Sequence, residues 1–111
     1  MNLSIYADEV DGVRVVHVGG EIDVYTVPSL KDALAEAVDD SERFVLDLSE
    51  VQFIDSTGLG VLVASLQQAR AAASDFRLVM DDPYLLKIFR ITGFDGVFSI
   101  YPQVFDAVHS S

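Results

Sequence analysis

Residues 47–60, Asp-Leu-Ser-Glu-Val-Gln-Phe-Ile-Asp-Ser-Thr-Gly-Leu-Gly, gather the residue types best suited to chemistry in this chain. Asp55, Ser56 and Thr57 favour the start of a helix, where a side-chain oxygen can take up an amide that has no intrahelical acceptor. Those first amides carry partial positive charge, so a phosphate ester on Ser56 could be accommodated by local N–H groups without refolding. Gly58 and Gly60 follow, each disfavoured inside a helix by roughly 1 kcal/mol relative to alanine. Glycine at both positions either leaves the first turn open to a partner's backbone or answers tight packing within the chain. Without the glycines, Asp-Ser-Thr reads as an ordinary helix cap.

A second candidate surface is the segment Gly20, Glu21, Ile22 and Asp23, read as the loop between the second strand and the first helix. Glu21 and Asp23 could contact a cation-bearing partner, or the loop could hold a nucleotide or small ligand; turn formation and capping account for it equally well. Other signatures fail. Gly58-x-Gly60 continues to Val63 instead of a third glycine or alanine, which argues against a dinucleotide site. No Gly-x-Ser-x-Gly elbow surrounds Ser56. His17, in a strand, and His109, near the terminus, have no local catalytic partner, so packing and surface exposure are their expected roles. The acidic pairs Asp8-Glu9, Asp39-Asp40 and Asp81-Asp82 adjoin turns or helix starts and read as solvated acids and caps. No catalytic residue, metal site or cofactor is expected.

Charge and length exclude further classes. Eighteen Asp and Glu oppose seven Lys and Arg, a formal charge of −11 over 111 residues. Such a chain would repel a phosphate backbone or an anionic bilayer, so neither nucleic acid nor membrane is an expected partner. The absence of cysteine removes disulfides, thiolates and thiolate-bound zinc. Met1 to Ser4 lack the basic flank and apolar run of a secretory signal, and the longest apolar stretch, Gly58 to Leu66, is interrupted by Ser65 and is too short to span a bilayer. A cytoplasmic location is expected.

The elements that must position Ser56 follow from periodicity. Leu3, Ile5 and Ala7 alternate, Asp11-Gly12 reverses the chain, and Val13, Val15, Val16 and Val18 return it as a β-hairpin. Val27, Leu30, Leu34 and Val38 recur at helical spacing, with Thr26 as N-cap and Pro28 in the first turn of a helix over 27–39. Phe44 to Leu48 is a nearly continuous apolar strand, expected at the sheet centre. Leu59, Leu62, Val63, Leu66 and Ala69 stripe a second helix beginning just after Thr57. Phe76 to Met80 gives another strand, Asp82-Pro83 opens a third helix carrying Leu85, Leu86 and Phe89, and Thr92-Gly93 stops it. Val97 to Tyr101 and Gln103 to His109 close the order ββαβαβαβα. One α/β domain over 1–111 is expected, with a mostly parallel mixed sheet and an N-terminal antiparallel hairpin. In such sheets, function gathers beyond the carboxyl ends of the strands, where Asp47 to Gly60 lies.

With these residues placed, the chain resembles the STAS-domain anti-sigma factor antagonists. The resemblance rests on Gly20-Glu21-Ile22-Asp23 with Thr26, Pro28 and Leu30, on Leu46-Asp47-Leu48, on Phe53-Ile54-Asp55-Ser56-Thr57-Gly58-Leu59-Gly60, and on Thr92-Gly93-Phe94 with Phe98-Ser99-Ile100-Tyr101. Asp-Ser-Thr-Gly-Leu-Gly is its specific part. The resemblance implies that Ser56 is a phosphoacceptor and that Asp23, Asp55, Ser56, Thr57, Gly58, Leu59 and Gly60 face a partner. It further implies an anti-sigma factor that is also an ATP-dependent serine kinase, a PP2C-like phosphatase that reverses the modification, and a role in bacterial transcription during stress or sporulation. Related STAS domains also serve as sensory modules. The main rival is an aspartyl-phosphate receiver with Asp55 as acceptor, which lacks a convincing early acidic pair and later lysine here; the other is a nucleotide- or ligand-binding module using Gly20 to Asp23.

Overall fold

The structure is a computed structural model and describes residues 2–111. Strand β1 spans Leu3–Val10 and β2 Val13–Ile22, followed by helix α1, Val27–Asp40, and strand β3, Arg43–Ile54. Helix α2 covers Ser56–Ala71, β4 Asp75–Val79, α3 Pro83–Thr92, β5 Ser99–Tyr101 and α4 Val104–His109, with a 3-10 turn at Phe94–Gly96. The strands lie side by side in chain order in one sheet, with β1 and β2 antiparallel and each later pair parallel. The α/β class and the element order match the sequence reading.

The hairpin turns as expected: Asp11 and Gly12 both adopt positive φ, 51° and 81°, as a two-residue turn between right-twisting strands requires. Alternation then assigns the faces. Val16, Val18, Phe44, Leu46, Phe76 and Leu78 point into the main core under α1, α2 and α3, while Val15, Val45 and Val79 form a smaller core with Ala107 and Val108 of α4. Phe44 stacks on Phe76 at 4.7 Å, and Phe98 meets Phe76, Phe89 and Phe94 edge-on, closing the core beneath α3. Buried Arg77 secures α4 by donating to the carbonyl oxygens of Ala107 at 2.9 Å and Ser110 at 2.6 Å, with Asp75 beside its charge.

Three boundaries differ from the periodicity. β3 continues past Leu48 to Ile54 although Ser49, Glu50, Gln52 and Phe53 are exposed. Its partner there is β2 alone, since pairing with β4 ends at Asp47↔Val79, whereas pairing with β2 runs to Ile22↔Ile54. β1 flanks β2 as far as Gly20, so the last residues of β2 and β3 project as a short ribbon beyond the rest of the sheet. Gly20, Glu21 and Ile22 are accordingly the end of β2 and not a loop: Gly20 pairs Leu3 on one side and Val51 on the other. Register shifts at His17/Gly19 and Gly20/Glu21 let the strand bend without breaking. β5 is confined to Ser99–Tyr101, because Val97 closes the 3-10 turn through its amide on the Phe94 carbonyl.

Candidate functional site

The β2–β3 ribbon delivers the Asp-Ser-Thr segment. The Asp55 amide donates to the Ile22 carbonyl at 3.1 Å, a last rung that fixes where α2 begins. Asp55 is the N-cap, extended at φ −102° and ψ −176°, and its Oδ1 accepts from the Gly58 amide at 3.0 Å. Its carbonyl accepts the first helical bond from Leu59 at 3.0 Å. Ser56 and Thr57 are therefore the first two residues of α2, and both are exposed. Their amides have no acceptor among the described residues, so the helix start keeps donors available for an anion.

The two glycines part company. Gly58 is buried, and a Cβ there would come within 2.5 Å of Ile22 Cγ2 and 2.8 Å of Ile54 Cγ1. Its missing side chain serves the seating of α2 on the strand ends, the packing alternative of the two that the sequence left open. Gly60 is exposed, and a Cβ there would meet nothing within 4 Å. No internal packing accounts for it. Leu59, between them, is half-buried against the main core.

The Gly20 to Asp23 segment is built differently from a ligand loop. Gly20 has φ +102°, and a Cβ would collide with the Asn2 carbonyl oxygen, which itself accepts the Glu21 amide at 2.9 Å. Ile22 is fully buried beneath Gly58. Asp23 is only 6 % exposed, and its Oδ1 accepts the amides of Tyr25 at 2.9 Å and Thr26 at 3.1 Å. Thr26 occupies the N-cap of α1 as the sequence predicts, but its hydroxyl makes no cap bond; it donates to the Glu21 carbonyl at 2.8 Å and accepts the Asp23 amide at 2.9 Å. Asp23 and Thr26 thus brace the turn, and the turn presents Val24 and Tyr25 outward, the tyrosine 77 % exposed.

Tyr25, with exposed Phe53 on β3, is what sequence reasoning missed. Neither belongs to a periodic apolar stripe, and the register Glu21↔Phe53 brings the end of β3 beside the turn. His17 is also richer than its sequence context. Its Nδ1 lies 2.8 Å from Asp47 Oδ2 and its Nε2 3.0 Å from Asp8 Oδ1, with the Tyr6 ring stacked at 4.6 Å. Ionised carboxylates only accept, so both contacts are hydrogen bonds only when the ring carries both protons. Among the described residues, no hydroxyl is hydrogen-bonded to the His17 ring. His109 Nε2 reaches Asp11 Oδ2 at 2.8 Å and pins α4 to the hairpin turn. Among the described residues, no group of three or more His, Asp or Glu converges as metal ligands would, and no helix is long and apolar enough to cross a membrane.

The family model for the STAS domain matches residues 4–109. The anti-sigma-B factor antagonist of Listeria monocytogenes is 41% identical over 103 residues, covering 90% of each chain. Among solved structures, an anti-sigma factor antagonist from Mycobacterium paratuberculosis superposes with a TM-score of 0.87 at 36% identity, covering 96% of this chain and 92% of that one. SpoIIAA shares the fold at 18% identity, with TM-scores of 0.76 for its unphosphorylated form, over 97% of this chain and 98% of that one, and 0.72 for its phosphorylated form, over 95% and 96%.

Proposed function

The chain belongs to the STAS domain family, and from that premise we propose that it is an anti-sigma factor antagonist switched by phosphorylation of Ser56. The observation that carries the reading is the position of that serine: an exposed residue at the start of α2, beside free helical amides and directly after the aspartate that caps the helix. A kinase needs a reachable hydroxyl, and Ser56 offers one without unfolding the helix.

In the unphosphorylated state the surface around Ser56 docks an anti-sigma factor, with exposed Tyr25 and Phe53 as aromatic contacts. The partner is an ATP-dependent serine kinase. Ser56 Oγ attacks the γ-phosphorus of ATP held in the partner, the O–H proton passes to a base there, and ADP leaves; positioning and the partner's metal carry the catalysis. This chain is the substrate. The product gains about −1.5 to −2 charges and three acceptor oxygens beside the Asp55 carboxylate. The amides of Ser56 and Thr57 can receive the phosphate locally, so the fold stays as it is while the docked surface acquires a charge it cannot bury without a cationic partner. A PP2C-like phosphatase hydrolyses the ester and restores binding.

Incubation with the cognate kinase and ATP, followed by mass mapping, tests the acceptor. An acid-stable phosphate on Ser56 is expected. An acid-labile acyl phosphate on Asp55, whose Oδ1 is committed to the Gly58 amide, would overturn the reading in favour of a receiver domain. Ser56→Ala should keep partner affinity and abolish phosphorylation, while Ser56→Asp should weaken binding with an unchanged circular dichroism spectrum.

A further inference from the structure

A groove of about 210 Å³ runs between α1 and α2, lined by Lys31 on one side and by Thr57, Gly60, Val61, Ala64 and Ser65 on the other. It starts at Thr57, next to Ser56, and so continues the surface assigned above. Three features set it apart. Gly60 costs helix stability and has no internal contact to justify it, yet any side chain there would narrow this groove. Lys31 is the only charged residue of the lining and makes no salt bridge among the described residues, although the chain carries −11 overall. Ser65 is 4 % exposed and lines the groove, and its hydroxyl enters no hydrogen bond among the described residues. Because no fully buried polar side-chain atom there lacks a partner, that hydroxyl keeps some access to solvent.

The volume falls short of the ~300–1,000 Å³ typical of small-molecule pockets. It suits a side chain. We propose that the α1–α2 groove is a specificity slot for the anti-sigma factor: it receives one aliphatic side chain of the partner over Gly60 and Ala64, next to a partner carboxylate that pairs with Lys31 and a polar atom that satisfies Ser65. The inference rests on the function proposed above and names how that partner is recognised. On a surface otherwise dominated by carboxylates, an unpaired lysine beside an apolar slot selects for an acidic neighbour on the incoming chain.

The experiment uses the anti-sigma factor captured by the full chain from its own cells, identified, purified and titrated by calorimetry. Gly60→Leu fills the groove where a Cβ meets open space, so its melting temperature should not fall, and its Kd should rise about tenfold or more. Lys31→Glu should weaken binding by about five- to tenfold and flatten the salt dependence of association. If both variants bind within about twofold of wild type while Ser56→Asp still abolishes binding, the slot is wrong and the switch stands. If both weaken binding but phosphorylated and unphosphorylated wild type bind equally, the slot stands and the switch falls. Capture of no anti-sigma factor overturns both, and a change in self-association in place of partner affinity would assign the groove to a second copy of the chain and overturn the slot.

Discussion

A single missing methyl group has opposite meanings two residues apart. Gly58→Ala should destabilise the protein by about 1–3 kcal/mol in urea unfolding, because the new Cβ must displace Ile22 and Ile54, and this overpacking exceeds the helix propensity gained. Gly60→Ala should stabilise it by up to about 1 kcal/mol in the same measurement, since its Cβ meets nothing. Opposite signs are the expected outcome; equal effects would mean that α2 does not seat on the strand ends as described. The cap is a separate matter: Asp55→Ala should cost about 1 kcal/mol and Asp55→Asn much less, because the amide oxygen can still accept from Gly58. In sequence the two glycines looked alike, since a propensity scale carries no information about what lies above a residue. The Asp-Ser-Thr cap was legible because capping is local chemistry. Thr26 holds the N-cap position read from sequence, but its hydroxyl makes no cap bond because the Glu21 carbonyl is a competing local acceptor.

Elements were legible wherever one face is apolar and the other wet. The hairpin and the helix carrying Leu30, Leu34 and Val38 follow their periods, while the strand from Phe76, buried on both faces, was legible as a short apolar run. The far half of β3 did not, because Ser49, Glu50, Gln52 and Phe53 face solvent and erase the apolar pattern. Gly19-Gly20 looked like a break, yet the strand passes through it by a register shift, with glycine needed for a positive φ and for the approach of Asn2. Gly20→Ala should therefore lower stability by about 2 kcal/mol or more in thermal or urea unfolding, and should loosen the site by disturbing the ribbon that carries Asp55. At the other end, truncation before Val104 should cost several kcal/mol, roughly the transfer of Ala107, Val108 and the faces of Val15, Val45 and Val79 to water, and should raise binding of a hydrophobic dye.

For the whole molecule, charge is the property that composition reveals and sequence patterns do not resolve. Eighteen acids on 111 residues repel one another, so added salt should raise the melting temperature. A flat or falling response would mean that pairs such as Arg43–Asp75 and Arg77–Asp75 outweigh that repulsion. His17 and Asp47 lie thirty positions apart in the chain, which is why no local reading joined them.

Polarity along the strands has a practical side. Val108 and His109 sit against Arg43 and the Asp11 turn, at the pole where the parallel strands begin, whereas Ser56 caps the pole where β2 and β3 finish. A tether attached behind His109 would thus hold the molecule by its foot and leave its head free to be inspected, so sensor-chip immobilisation or fusion to a larger scaffold at that end should not mask the switch.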